Sequence, residues 1–110
     1  MKLPNGDKAF IDPRKLTGYS LSRDHDDGKH KAWVFENLLG ITANDTHALS
    51  EALRHAAVSV EAVMGKKDNY GQRYIIDFDF AGPTATALIR SAWIIRTGED
   101  VPRLVTCYIL

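Results

Sequence analysis

The sequence predicts an α+β domain in which two N-terminal helices pack on a C-terminal antiparallel sheet of three to four strands. Three observations predict it. Apolar residues recur at helical spacing up to about residue 60 and then alternate with period two in the last forty residues. Turn signals rich in Gly, Pro and Asp separate the alternating runs closely enough for hairpins. The chain has 110 residues, 45% of them hydrophobic and 25% charged, a length and composition that suit one folded core and leave no room for a second. Residues 1–110 are therefore read as one domain, divided into an irregular arm (1–28), a helix pair (29–62) and an antiparallel sheet (72–110).

Each element has a local reason. The arm carries Pro4, Gly6, Pro13, Gly18 and Gly28, and within it Ala9-Phe10-Ile11 reads as a short strand stopped by Asp12-Pro13. A helix is expected over Lys29–Leu39, capped by Asp26 or Asp27 and ended at Gly40, with Ala32, Phe35, Leu38 and Leu39 as its apolar stripe. Thr42-Ala43-Asn44-Asp45 has the spacing of a capping box. Behind it Leu49, Ala52, Leu53, Ala56, Ala57 and Val60 mark an amphipathic helix over about 46–62, with Glu51, Arg54 and His55 toward water. Residues 65–71 read as a polar loop. Tyr74, Ile76, Phe78 and Phe80 alternate with Asp77 and Asp79, which makes a strand with one apolar face. Further strands follow over Thr84–Arg96 and Arg103–Leu110. Their parity places Ala87, Ile89, Ser91, Trp93 and Ile95, then Val105, Cys107 and Ile109, toward the core. It leaves Arg90, Thr106 and Tyr108 together on the other face.

Composition also excludes. There are 14 Lys+Arg and 14 Asp+Glu, a net charge of zero, which argues against a protein that coats nucleic acid and confines any such role to a local site. The single cysteine, Cys107, cannot form an intrachain disulfide and fits a reducing compartment. The N-terminus lacks the apolar run of a signal peptide, and no stretch is long and apolar enough to span a membrane; a cytoplasmic protein is the expectation. No dinucleotide, P-loop, zincin or hydrolase-elbow signature occurs. Asp24-His25-Asp26-Asp27 has metal-ligand residue types, but adjacent residues in an arm do not converge on one ion, so no metal or other cofactor is expected. His47 and His55 read as surface residues, Cys107 as a small buried hydrophobe, and Trp33 and Trp93 as packing anchors.

Two groups of residues carry candidate chemistry. Gly28-Lys29-His30-Lys31 sets an imidazole between two cations at a helix start, an arrangement suited to general acid–base work beside a phosphate. The alternative is that the lysines are solvated and His30 bonds a loop carbonyl. On the sheet, Arg90 offers a planar fork for phosphate, with Thr106 and Tyr108 as hydroxyl donors; the alternative is a cross-strand pair of Arg90 with Asp77 or Asp79.

The segments Gly28-Lys29-His30-Lys31-Ala32, Arg90-Ser91-Ala92-Trp93 and Pro102-Arg103-Leu104-Val105-Thr106-Cys107-Tyr108, in this order along nearly the whole chain, resemble an uncharacterised family of small bacterial domains. Its members resemble cargo domains of larger proteins and also occur as stand-alone chains, the form expected here. The arrangement is also similar to the barnase–EndoU–colicin–RelE group of toxin nucleases, many of which are metal-independent ribonucleases. That resemblance implies an endoribonuclease acting through 2′-hydroxyl attack. In it His30 would be the general acid or base, and Lys29 or Lys31 a phosphate contact. Arg90 would stabilise the phosphorane, and Thr106 and Tyr108 would position the scissile phosphate, with Arg103 adding to the local cation cluster. The implied partners are an RNA substrate and a small co-encoded antitoxin or immunity protein. The rival reading is a non-catalytic protein-binding domain, or a homodimer built through the last strand.

Overall fold

The computed structural model describes residues 1–110 and is α+β, with helices preceding a four-stranded antiparallel sheet. Helix α1, Lys29–Val34, continues as a π-helical segment through Phe35–Leu39 and ends at Gly40, whose φ of 71° is the left-handed conformation expected of a helix-terminating glycine. Helix α2 is Thr46–Ser59. The capping box precedes it: Thr42 Oγ1 accepts from the Asn44 N–H at 3.3 Å, and the Asp45 carboxylate accepts from the Thr42 N–H at 2.9 Å. The strands are β1 Val63–Asp68, β2 Gly71–Ala81, β3 Thr86–Arg96 and β4 Arg103–Ile109, in that spatial order. No helix is long and apolar enough to cross a membrane.

The apolar stripes meet in one buried cluster. Phe35 and Leu39 of the first helical run and Leu49, Leu53, Ala56 and Ala57 of α2 share it with Tyr74, Ile76, Phe78 and Phe80 of β2 and with Ile89 and Trp93 of β3. The face of β2 is the one its alternation predicts.

Several expectations are corrected. Residues 65–71 do not form a loop, because most of them belong to β1. Its side chains are almost all exposed, so neither face carries the alternation by which a strand is recognised. The cap of α1 is neither Asp26 nor Asp27: the Nδ1 atom of His25 accepts the N–H groups of Asp27 and Gly28, both at 3.0 Å. Trp93 is fully buried, but Trp33 is 64% exposed and anchors nothing. On β4, the register shifts between Ala92↔Thr106 and Trp93↔Leu104. Val105 is the extra residue of this bulge, so Leu104 and Cys107, not Val105 and Cys107, enter the core. Burial pushes the Cys107 thiol up to about 12.

The arm covers the outer edge of β4. Phe10 exchanges backbone hydrogen bonds with Pro102 and Leu104, at 2.8 and 3.0 Å, where the sequence suggested a short strand. Further along, the buried Ser20 hydroxyl donates to the Cys107 carbonyl at 3.0 Å. The last strand is therefore tied to its own chain at two points, which reduces the edge free for a second copy.

Candidate functional site

The sheet register sets the first part of the site. Arg90 of β3 lies opposite Asp77 of β2 and opposite Tyr108 of β4, so the three form one row across the face turned away from the core. Arg90 Nε and Nη2 each donate to an Asp77 carboxylate oxygen at 2.9 Å. These bonds hold the Asp77 carboxyl below the usual carboxylate range against the opposing effect of partial burial. The same pair, with Tyr108 adding to it, raises the Arg90 guanidinium further above its ordinary value. The cross-strand pairing weighed from the sequence is thus present, with Asp77 as the acid.

Helix α1 supplies the second part. Lys31 Nζ donates to the Tyr19 hydroxyl at 2.9 Å, lies 4.4 Å from the Tyr19 ring centroid, and lies 5.6 Å from the Tyr108 ring centroid. An ammonium held over two ring faces is attracted by both quadrupoles. The Tyr19 ring in turn meets His25 edge-on at 4.7 Å between centroids. Asp77, Arg90, Tyr108, Lys31, Tyr19 and His25 therefore form a continuous polar path from the centre of the sheet to the start of α1.

Thr106 stands on the same outer face, opposite Ala92 and next to the Arg90 row. Its Oγ1 is buried with no hydrogen-bond partner, an uncommitted donor and acceptor. The remaining sequence candidates lie elsewhere. Arg103 is at the other end of β4, where it pairs with Glu99 at 3.0 Å and packs over the Phe10 ring at 5.2 Å. Lys29 and His30 line an open cavity of about 650 Å³ with Arg23, Trp33, Glu36 and Asn37, and no sheet residue reaches it. Successive helical residues point about 100° apart, so His30 and Lys31 address different sides of α1. Lys31 is the member of the Lys-His-Lys run that meets the sheet.

Tyr19, Asp77 and His25 complete the path, and they were unequally visible in the sequence. Asp77 was visible as a cross-strand partner of Arg90. Tyr19 and His25 sit in the arm, where no periodicity marks a face. Trp33 had a usable signal, since on a helical wheel it falls with Lys29, Glu36 and Asn37 on the polar side. No cluster of three or more His, Cys, Asp or Glu side chains is placed to hold a metal ion.

The fold is similar to a chain of a contact-dependent growth inhibition toxin–immunity protein complex from Klebsiella pneumoniae 342. The match has a TM-score of 0.67 at 21% identity and covers 91% of this chain and 98% of that chain. At this identity the likeness establishes a shared fold. No curated protein matches. The family model described as "Domain of unknown function (DUF6883)" matches residues 2–110, nearly the entire chain, and the chain belongs to that family.

Proposed function

We propose that the protein is a toxin-type endoribonuclease that cleaves RNA without a metal, using the substrate's own 2′-hydroxyl as nucleophile. The observation that carries this reading is the meeting of Lys31 from α1 with Tyr108 of the Arg90 row. Two fixed cations with a phenol between them form a receptor for a phosphate that gains negative charge. The toxin–immunity complex among proteins of similar fold supports the toxin part of the reading. It also supports a co-encoded immunity protein as the partner proposed here.

The chemistry requires little of the protein. A base removes the 2′-hydroxyl proton, the 2′-oxygen attacks phosphorus, and the bond to the 5′-oxygen breaks as that oxygen receives a proton. The products are a 2′,3′-cyclic phosphate and a free 5′-hydroxyl. Arg90 and Lys31 stabilise the phosphorane and Tyr108 delivers the proton to the leaving oxygen; Thr106, whose Oγ1 is buried beside this row, makes no contact with it. His30, the base expected from the sequence, opens on the side of α1 away from Lys31 into a cavity that no sheet residue lines, so at the Arg90 site the 2′-hydroxyl proton leaves to water.

The test is cleavage of a mixed RNA pool in EDTA by wild type and by the Lys31→Ala, Tyr108→Phe, Arg90→Ala and His30→Ala variants. A general acid–base group contributes about 10²–10⁴-fold, so Tyr108→Phe is expected to lose at least about 10²-fold, while His30→Ala keeps wild-type cleavage. Loss of cleavage in His30→Ala would move the reaction from Arg90 to the cavity beside α1. Absence of cleavage by wild type across broad substrates overturns the reading. The competing reading, a non-catalytic binding module, draws its support from Asp77, which already accepts both Arg90 bonds.

A further inference from the structure

We propose that the far end of the sheet's outer face is a second nucleic-acid subsite, which holds a single-stranded stretch of RNA flanking the phosphate at Arg90. The proposal rests on the ribonuclease reading for the nature of the ligand, and on separate residues for the site.

The register builds the surface. Arg73, Ile94 and Arg103 form one row across β2, β3 and β4, and Asp77, Arg90 and Tyr108 form another. The rows are four residues apart on β3, roughly 13 Å at strand rise. Between them lies the row of Ile75, Ala92 and Thr106, in which the alanine and threonine are short. The face is thus a shallow trough with cations at both ends.

At the far end it opens into a cleft of about 310 Å³ lined by Phe10, Lys15, Tyr70, Arg73, Arg96 and Arg103, among others. Asp12 is the one acid of that lining, and Arg14 binds it at 2.7 Å. Arg73 and Arg103 have partly exposed acidic partners in Asp68 and Glu99, at 3.6 and 3.0 Å. Lys15 and Arg96 form no ion pair.

Two aromatic rings flank these cations. Tyr70 is 72% exposed, a costly placement that neither side-chain hydrogen bonding nor core packing repays, and Phe10 is 46% exposed with Arg103 stacked over its ring. Cations that track a backbone, interleaved with rings on which bases stack, are the two components of single-strand binding. An acidic protein surface would satisfy the charges alone. The exposed rings and the continuity with Arg90 favour a strand of nucleotides.

The experiment is fluorescence anisotropy with the full chain and a fully 2′-O-methylated single-stranded oligoribonucleotide, which lacks the attacking hydroxyl and survives as ligand. Wild type is compared with Tyr70→Ala and Arg96→Ala over a range of salt, with circular dichroism to confirm that these surface variants fold. Loss of one stacking contact is expected to weaken binding roughly ten-fold in Tyr70→Ala. Arg96→Ala is expected to lower the salt slope by about 0.7. Wild-type affinity and slope in both variants overturn the proposal. So does tight binding of polyglutamate in place of the oligonucleotide, which assigns the cleft to an acidic protein. Cleavage of unmodified RNA, measured in parallel, separates the two ideas. Tyr70-dependent binding without cleavage keeps the subsite and removes the ribonuclease; cleavage with no dependence on Tyr70 or Arg96 does the reverse.

Discussion

Ser91 is fully buried, and its hydroxyl accepts from Trp93 Nε1 at 2.9 Å while donating to the Ile76 carbonyl at 2.8 Å. This relay lets the largest core side chain place a polar atom in an apolar layer. Ser91→Ala would leave the indole N–H unpaired, and a loss of about 1–3 kcal/mol is expected in denaturant unfolding. Across the sheet, Asp77 is held below its unfolded carboxyl value, so its contribution to stability is present above about pH 4. That contribution is lost as pH falls further, through the folded value. Asp77→Asn is therefore expected to be less stable than wild type at pH 7, by no more than about 1 kcal/mol for so exposed a pair. Unfolding at pH 3 should show that gap narrowed; a gap that widens on acidification would contradict the assigned pairing. Residues of this kind were only partly legible. Arg90 and Tyr108 followed from strand parity, but parity alone could not show that Asp77 would claim both Arg90 donors.

At the scale of elements, α1 is the part that joins arm to sheet, and its entry is tight. A Cβ on Gly28 would lie 2.2 Å from the Tyr19 carbonyl oxygen, so the Gly that opens the Lys-His-Lys run permits the approach that brings Tyr19 beneath Lys31. Gly28→Ala is expected to destabilise by about 1–3 kcal/mol and to depress activity beyond what its stability explains, because the Lys31–Tyr19 bond must lengthen. Unfolding and cleavage measured on the same preparation check this; a stable, fully active variant would contradict it. His25→Ala removes the acceptor for two N–H groups at the same place, and about 1 kcal/mol is expected from the lost cap. Elements with a buried face were legible: the helical stripes, the Thr42–Asp45 box, Gly40 and β2 all follow from spacing. Strand β1 was not, because both its faces meet water. The β4 bulge was not either, since one inserted residue exchanges Val105 for Leu104 in the core without any mark in composition.

For the whole molecule, the zero net charge conceals an uneven distribution. The outer sheet face carries Arg73, Arg90, Arg96 and Arg103 against Asp77 and Asp79, and Lys31 adjoins it from the helix, while Asp24, Asp26 and Asp27 gather in the arm. Overall charge thus weighs against indiscriminate coating of nucleic acid and leaves room for a focused phosphate site. The comparisons establish the family and the fold, and the arrangement of Lys31, Tyr108 and Arg90 carries the chemical part of the proposal. That part is tested most directly by the products formed on an RNA oligonucleotide in EDTA. The account predicts a 2′,3′-cyclic phosphate and a 5′-hydroxyl, no reaction when the nucleotide at the cleavage site is 2′-deoxy, and loss of both products in Lys31→Ala and Tyr108→Phe. Cleavage that persists at the 2′-deoxy position, or that survives in both variants, would contradict it.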